Sequence, residues 1–226
     1  MKFKYSILCI VLFSFAGFQS TAQSFNNFQS IQKYSVFFSI SWQKKINLGV
    51  GYSFRLGGDV QFTDVQFEWR APVDNFFSGN QYQVIAGANV RHLASRTVLA
   101  SGYHLIYNKL NTDDSNARWM DLSLTFLPGR QYAAPLDDKP NGVYAARITY
   151  QPTIFAQVDG EQSFLSAHTV KAGAHFDIIV KRALGIGINP VIANTFQTGS
   201  TVLPDRPSWD FEGDFYFTPT YFRNVR

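Results

Sequence analysis

From Tyr34 onward the apolar pattern of the chain repeats every two residues. Tyr34, Val36, Phe38, Ile40 and Trp42 alternate with Ser35, Ser39 and Ser41, and Leu48, Val50, Tyr52, Phe54 and Leu56 alternate with Asn47, Gly49, Gly51, Ser53 and Arg55. Successive side chains of a strand point to opposite faces, so this period predicts strands with one apolar face rather than helices. The same template places further strands near 60–70, 82–92, 97–108, 118–127, 143–158, 167–180, 183–194 and 208–222. Turn signals separate them: Gly57-Gly58-Asp59, Asn111 to Asn116, Pro128-Gly129, Pro140-Asn141-Gly142, Asp159-Gly160 and Pro204 to Ser208. The pattern predicts about ten strands, within a range of 8–12. Most reach nine or more residues, against roughly 5–6 for a globular strand and roughly 9–11 for one that crosses a bilayer at a tilt.

The two faces differ in kind. Of 45 alternate positions along these strands, 43 are apolar and none is charged; Ser101 and Gly213 are the exceptions. The opposite face carries Arg55, Asp64, Glu68, Arg70, Arg91, His104, Asp121, Arg147, Lys171, His175, Asp177, Asp210, Glu212 and Asp214. A soluble sandwich also alternates. Its solvent face, however, is usually rich in Lys and Thr rather than in Gly, Asn and paired acids and bases, and its core rarely needs ten strands of this length. An apolar outside and a polar inside instead predict an all-β, closed, antiparallel up-and-down transmembrane barrel. A soluble lipocalin-like binder is the architectural rival.

If the first strand runs away from the periplasm, Trp42, Trp69, Trp119 and Trp209 fall at the outer rim beside Tyr82 and Tyr107. Such an aromatic girdle is expected where a ring is half in lipid and half in water. Trp119 has the parity of the polar face, which fits a loop position. The topology predicts short connections at 57–59, 93–96 and 181–182 and longer outer loops at 71–81, 109–117 and 195–207. Residues 128–142 read as a long connection on the periplasmic side, against that rule.

Composition narrows the class further. The chain is 46% apolar and only 16% charged, too apolar and too weakly charged to stay disordered. Mean hydropathy is −0.10, and beyond the N-terminus no run of about 18 apolar residues exists, which excludes a helical membrane bundle. The net charge of +4 is not clustered, so nucleic acid is not an expected partner. Lys2 and Lys4, the apolar stretch Ile7 to Phe18 and the small residues Ser20 and Ala22 describe a cleavable secretory signal peptide over 1–22, leaving 23–226 as one barrel domain. Cys9, the single cysteine, lies in that segment; the mature chain then has no disulfide, thiol catalyst or cysteine metal site.

At this point the chain resembles small outer-membrane β-barrel proteins of Gram-negative bacteria. The Ala22-Gln23 junction and the Phe-, Tyr- and Asn-rich composition are similar to those of the Bacteroidota. The likeness is one of architecture and implies residence in the cell outer membrane, in contact with its lipid or lipopolysaccharide. Barrels of this kind often end on an aromatic residue; here Phe222 is followed by Arg223, Asn224, Val225 and Arg226.

The inward set holds seven acids, five bases and two histidines. An unpaired charge in so narrow a space costs several kcal/mol, so Asp64, Glu68, Asp210, Glu212 and Asp214 are expected to pair with Arg55, Arg70, Arg91, Arg147 and Lys171 in a salt-bridged plug. The rival is a narrow charge-lined pore. His175 and Asp177 share a face, His104 faces inward, and Ser101 or Ser123 could serve such a base. The runs His92-Leu93-Ala94-Ser95 and Ser166-Ala167-His168 do not match those of lipid-trimming barrels. No catalytic residue, cofactor or metal is therefore expected. The sequence reading is a non-enzymatic structural or accessory subunit with a protein partner in the outer membrane or periplasm, met through Ser24 to Lys33 or 128–142. A small passive channel is the alternative, and a lipid hydrolase the third.

Overall fold

The structure, a computed structural model, describes residues 34–42, 45–57, 61–94, 97–132, 141–180, 184–198, 203 and 208–219. The segments 1–22 and 24–33, and Phe222 with the residues after it, lie outside the described residues. Eleven strands account for most of the rest: β1 (Tyr34–Trp42), β2 (Ile46–Gly57), β3 (Gln61–Pro72), β4 (Gln81–Ala94), β5 (Thr97–Asn111), β6 (Asn116–Tyr132), β7 (Asn141–Val158), β8 (Glu161–Ser163), β9 (Ala167–Val180), β10 (Leu184–Gln197) and β11 (Trp209–Pro219). A single 3₁₀ turn, Val73–Asn75, follows β3.

Each strand pairs antiparallel with its neighbours, and β1 closes on β11, so that ten strands form a ring with β8 outside it. The register can be followed around the whole circuit: Tyr34, Phe54, Val65, Ala88, Tyr103, Leu124, Tyr150, Val170, Asn194 and Trp209 face one another in turn. Trp209 lies eight residues before Phe217, the partner of Phe38. The ring therefore closes twelve residues out of step. Over ten strands that stagger implies a tilt of about 40°, the usual geometry of a closed barrel.

Local chemistry explains the departures from regularity. Asp159 and Gly160 both have positive φ (50° and 93°), which makes the two-residue hairpin whose twist matches its strands. β8 then pairs with the end of β7, and Leu165, also at positive φ (51°), turns the chain into β9. Within β7, Thr153 faces Asp121 but Phe155 faces Met120. Ile154 is thus an inserted residue, and beyond it Ala156 rather than Phe155 points inward, both Ala156 and Thr153 being fully buried.

Three expectations from the sequence are corrected. Pro128-Gly129 is no turn: β6 runs through it to Tyr132 and β7 begins at Asn141, so the connection is 133–140 and not 128–142. Pro128 falls where the ladder to β7 passes from the Phe126–Ile148 pair directly to the Gly129–Ala145 pair, a place where a missing N–H is tolerated. Gly129 is needed because a Cβ there would strike the Tyr144 carbonyl and Ala145. The third is the outer loop at 109–117, where β5 and β6 leave only residues 112–115.

The outward face is apolar all round. Phe38, Val50, Trp69, Val84, Tyr107, Met120 and Phe155 form one continuous row across β1–β7. Phe67, Ile148, Ile192 and Phe211 stand more than half exposed. Inside, two small apolar clusters sit at opposite ends. Ala100, Leu127 and Ala145 lie toward the end where β1 begins and β11 finishes. Ala156, Ala167 and Leu203, with Trp119 and Val158 against them, lie at the loop end.

Candidate functional site

Between those clusters the lumen is polar, and the pleat puts every one of its side chains there. Alternation on β3 turns Asp64, Gln66, Glu68 and Arg70 inward, β9 contributes Lys171, His175 and Asp177, and β11 contributes Asp210, Glu212, Asp214 and Tyr216. Arg70 is the centre of the densest group. Its Nε donates to Glu68 Oε1 (2.5 Å), its Nη2 to Glu68 Oε2 (3.0 Å) and its Nη1 to Asp214 Oδ1 (2.8 Å). Ser39 also donates to Glu68, whose side chain is 0% exposed, and Tyr216 donates to Asp214 (3.3 Å).

From there the pairs run on across the barrel. Arg147 approaches Asp214 (3.9 Å) and donates to Asn189 Oδ1 (3.1 Å), while the Asn189 amide donates to His175 Nδ1 (2.5 Å). His175 Nε2 meets Asp177 (2.8 Å), Asp177 accepts from Arg91 (3.4 Å), and Arg91 approaches Asp64 (3.6 Å), which also accepts from Arg55 (2.9 Å). Lys171 pairs with Glu212. The Arg91–Asp177 pair joins β4 to β9, with β5, β6 and β7 between them on the shorter way round, and Arg70–Asp214 joins β3 to β11 past β2 and β1. These are struts across the lumen, and together they form a crosspiece.

A second group lies on the wall of β5–β7. Asp121, 1% exposed, accepts from Asn108 (3.2 Å), Gln151 (3.0 Å) and Thr153 (2.7 Å). Asn108 accepts in turn from Gln83 (2.9 Å), and Thr125 and Thr149 share a hydrogen bond (2.9 Å). This ledge is built from neutral donors on adjacent strands. A cavity of about 550 Å³ runs along the lumen past ledge and crosspiece, from Lys45, Gln81, Asn108 and Asp210 at the loop end to Leu127 and Val143 toward the other.

The residues expected inside from the sequence are therefore together, with the exceptions that Asp210 makes no ion pair and His104 keeps an unpartnered Nε2 among the described residues. What the sequence reading missed is the neutral part: Ser39, Asn108, Gln151, Thr153, Asn189 and Tyr216. They occupy the same inward parity as the charges, which is the signal that could have found them. Of the aromatic set, Tyr82 and Tyr107 pack at the loop end (6.2 Å), Trp69 packs edge-on to Phe76 (4.9 Å), and Trp209 is 67% exposed. Trp42 lies over Gly213, on which a Cβ would strike its ring. Trp119 is the correction. It turns inward onto Ala156, Ala167 and Leu203 and belongs to no outer girdle.

Both ring nitrogens of His175 are engaged, by Asn189 and Asp177. Ser101 has the outward parity, and Ser123, though opposite His104 in register, shares no hydrogen bond with it among the described residues. No group of three or more His, Cys, Asp or Glu among the described residues is placed to hold a metal.

No family model matches this chain, and no curated protein matches it either. Among solved structures, a chain from a study of the in-meso crystallization of membrane proteins is similar at 7% identity, over 81% of this chain and 83% of that chain, with a TM-score of 0.33.

Proposed function

We propose that this protein is an integral outer-membrane barrel that works without catalysis, as a structural or accessory component of that membrane, with its lumen held shut by its own side chains. The observation that carries this reading is the crosspiece: ion pairs that join strands far apart in the ring, at the level where a conduit would have to pass. The apolar belt supports the membrane placement, since a fully encircling apolar surface is untenable in water and suits lipid. The end bearing the 73–80 and 198–208 loops then faces outward, because outer loops of such barrels are the longer ones.

One observation favours a second reading. Arg91 and Asp177 are each 24% exposed to the cavity, so a passive channel would open by parting that pair. The test is to purify the tagged barrel from detergent-solubilised outer membranes, identify what accompanies it, and record the product in planar bilayers. A stoichiometric companion and no steady conductance are expected. Steady conductance from the wild-type barrel that changes on reversing Arg55 or Arg147 would replace this reading with the channel. A protein that needs no detergent would end the membrane reading altogether.

A further inference from the structure

The outward face changes character abruptly at the loop end of β4–β7. The row Val84, Tyr107, Met120 and Phe155 is apolar. Two residues further along each strand, the next outward row is Tyr82, Lys109, Arg118 and Gln157, continued by Gln162 on β8. In this row Lys109 and Arg118 are direct register partners. Like charges directly opposite on one face destabilise a sheet; here Arg118 leans toward β7 and Lys109 toward β4, and an anion held beside them would relieve the remaining repulsion.

The structure leaves both cations free for one. Arg118 is exposed and commits its Nε to Gln157 Oε1 (2.8 Å), which fixes the guanidinium and leaves its other donors available. Lys109 lies over the Tyr82 ring (5.4 Å) with Nζ near the Gly79 carbonyl (3.4 Å), so its ammonium is aimed rather than loose. Among the described residues neither cation has a carboxylate partner. Asp113 and Asp114, on the 112–115 turn just above, pair with neither. Lys45, on the β1–β2 connection, does have its own acid in Asp74 (3.4 Å), on the same 73–80 loop that Lys109 meets at Gly79.

We propose that Lys109 and Arg118 bind the phosphate of an anionic lipid in the outer leaflet. This rests on the membrane reading above and deepens it. The tyrosines Tyr82 and Tyr107 mark the boundary between acyl chains and headgroups, where such rings settle. One step outward is the level of lipid phosphates. An arginine fork beside a lysine point charge is the donor set that recognises a phosphate, while the apolar row beneath receives the acyl chains. The same group on a soluble ion would forgo that second half of the contact.

The test titrates the folded barrel, in a neutral detergent, with phosphatidic acid, diacylglycerol and inorganic phosphate, following adducts by native mass spectrometry. Phosphatidic acid is expected to bind at one molecule per barrel, and K109Q/R118Q to weaken it at least about tenfold, each cation near an anionic headgroup contributing a several-fold effect. Lys45→Gln, which removes a rim cation that already has its acid, is expected to leave binding unchanged. Equal binding of diacylglycerol, or undiminished binding by the double variant, would overturn the site. Inorganic phosphate binding as tightly as the lipid would overturn the lipid assignment. Unchanged heat-modifiable mobility of the double variant shows that it folds. Flotation of the wild type with phosphatidylcholine vesicles tests the membrane reading separately, so the two failures are distinguishable.

Discussion

The crosspiece and the ledge share one lumen yet hold the barrel in different ways. On the ledge, Asp121, Asn108, Gln151 and Thr153 join β5, β6 and β7, strands that the backbone ladder already joins, with one bulge between β6 and β7. In the crosspiece, Arg70 and Asp214 lie 144 residues apart and Arg91 and Asp177 lie 86 apart, on strands with no ladder between them. Hydrogen bonds of the first kind add to contacts that exist anyway. Ion pairs of the second kind brace the cross-section and fill it. A charge in the crosspiece is therefore answerable to residues that its own strand neighbours cannot replace.

The largest expected effect follows from that dependence. Arg70→Met keeps most of the side chain's length but strips Glu68 of two charge-assisted contacts with the base and Asp214 of one. Removing one member of a buried pair costs about 3–5 kcal/mol, mostly because the other charge stays buried and unanswered. The measurement is the urea midpoint of the vesicle-inserted barrel, with the slope of the transition held constant. A loss below about 1 kcal/mol would mean that water already solvates Glu68, and the crosspiece would then be a string of surface pairs.

How much of this was legible in the sequence depends on which physical rule decides each feature. The inward parity of Arg55, Glu68, Arg70, Asp177 and Asp214 could be read directly, because the pleat imposes a period of two on every strand. Which of them meet could not. The pairing of Arg70 with Asp214 is set by the stagger accumulated around the ring, and that stagger is the outcome of every turn at once. The inserted Ile154 shows the same limit on a small scale: one residue reverses the faces of β7, and nothing in Pro152-Thr153-Ile154-Phe155 announces it. Trp119 is inward by the pleat of β6, as its parity already indicated; what local sequence did not carry is that Ala156, Ala167 and Leu203 meet it there. Pro128-Gly129 misled because both residues serve in turns and in strands. There the deciding fact was the close approach of β7, which local sequence does not carry.

A middle-sized effect is expected on the ledge. Asp121→Asn preserves shape and leaves one oxygen for Asn108 and Gln151, while the new amide can donate to the Thr153 hydroxyl. What is lost is the charge-assisted share of three hydrogen bonds, about 1 kcal/mol in all, read from the same urea midpoint. If Asp121→Asn cost as much as Arg70→Met, the ledge would also depend on its charge, and the contrast between the two regions would fail.

The smallest effect sharpens the comparison most, because it compares couplings rather than single losses. Thr125 and Thr149 touch across adjacent strands by one neutral hydrogen bond (2.9 Å). Thr149 also lies near Arg147 Nε (3.5 Å). A double-mutant cycle of Thr125→Val and Thr149→Val isolates their mutual contribution, expected at about 0.5–1 kcal/mol. The matching cycle of Arg70→Met and Asp214→Asn is expected to exceed it by about two- to threefold, since Arg70→Met strands the Asp214 charge and the double variant removes that charge, while Glu68 is left unpaired equally in both. Equal coupling in the two cycles would show that distance around the ring is irrelevant to what a lumen contact contributes. A larger coupling in the threonine pair would place the brace of this barrel on the wall, and the crossing ion pairs would then be occupants of the lumen rather than struts.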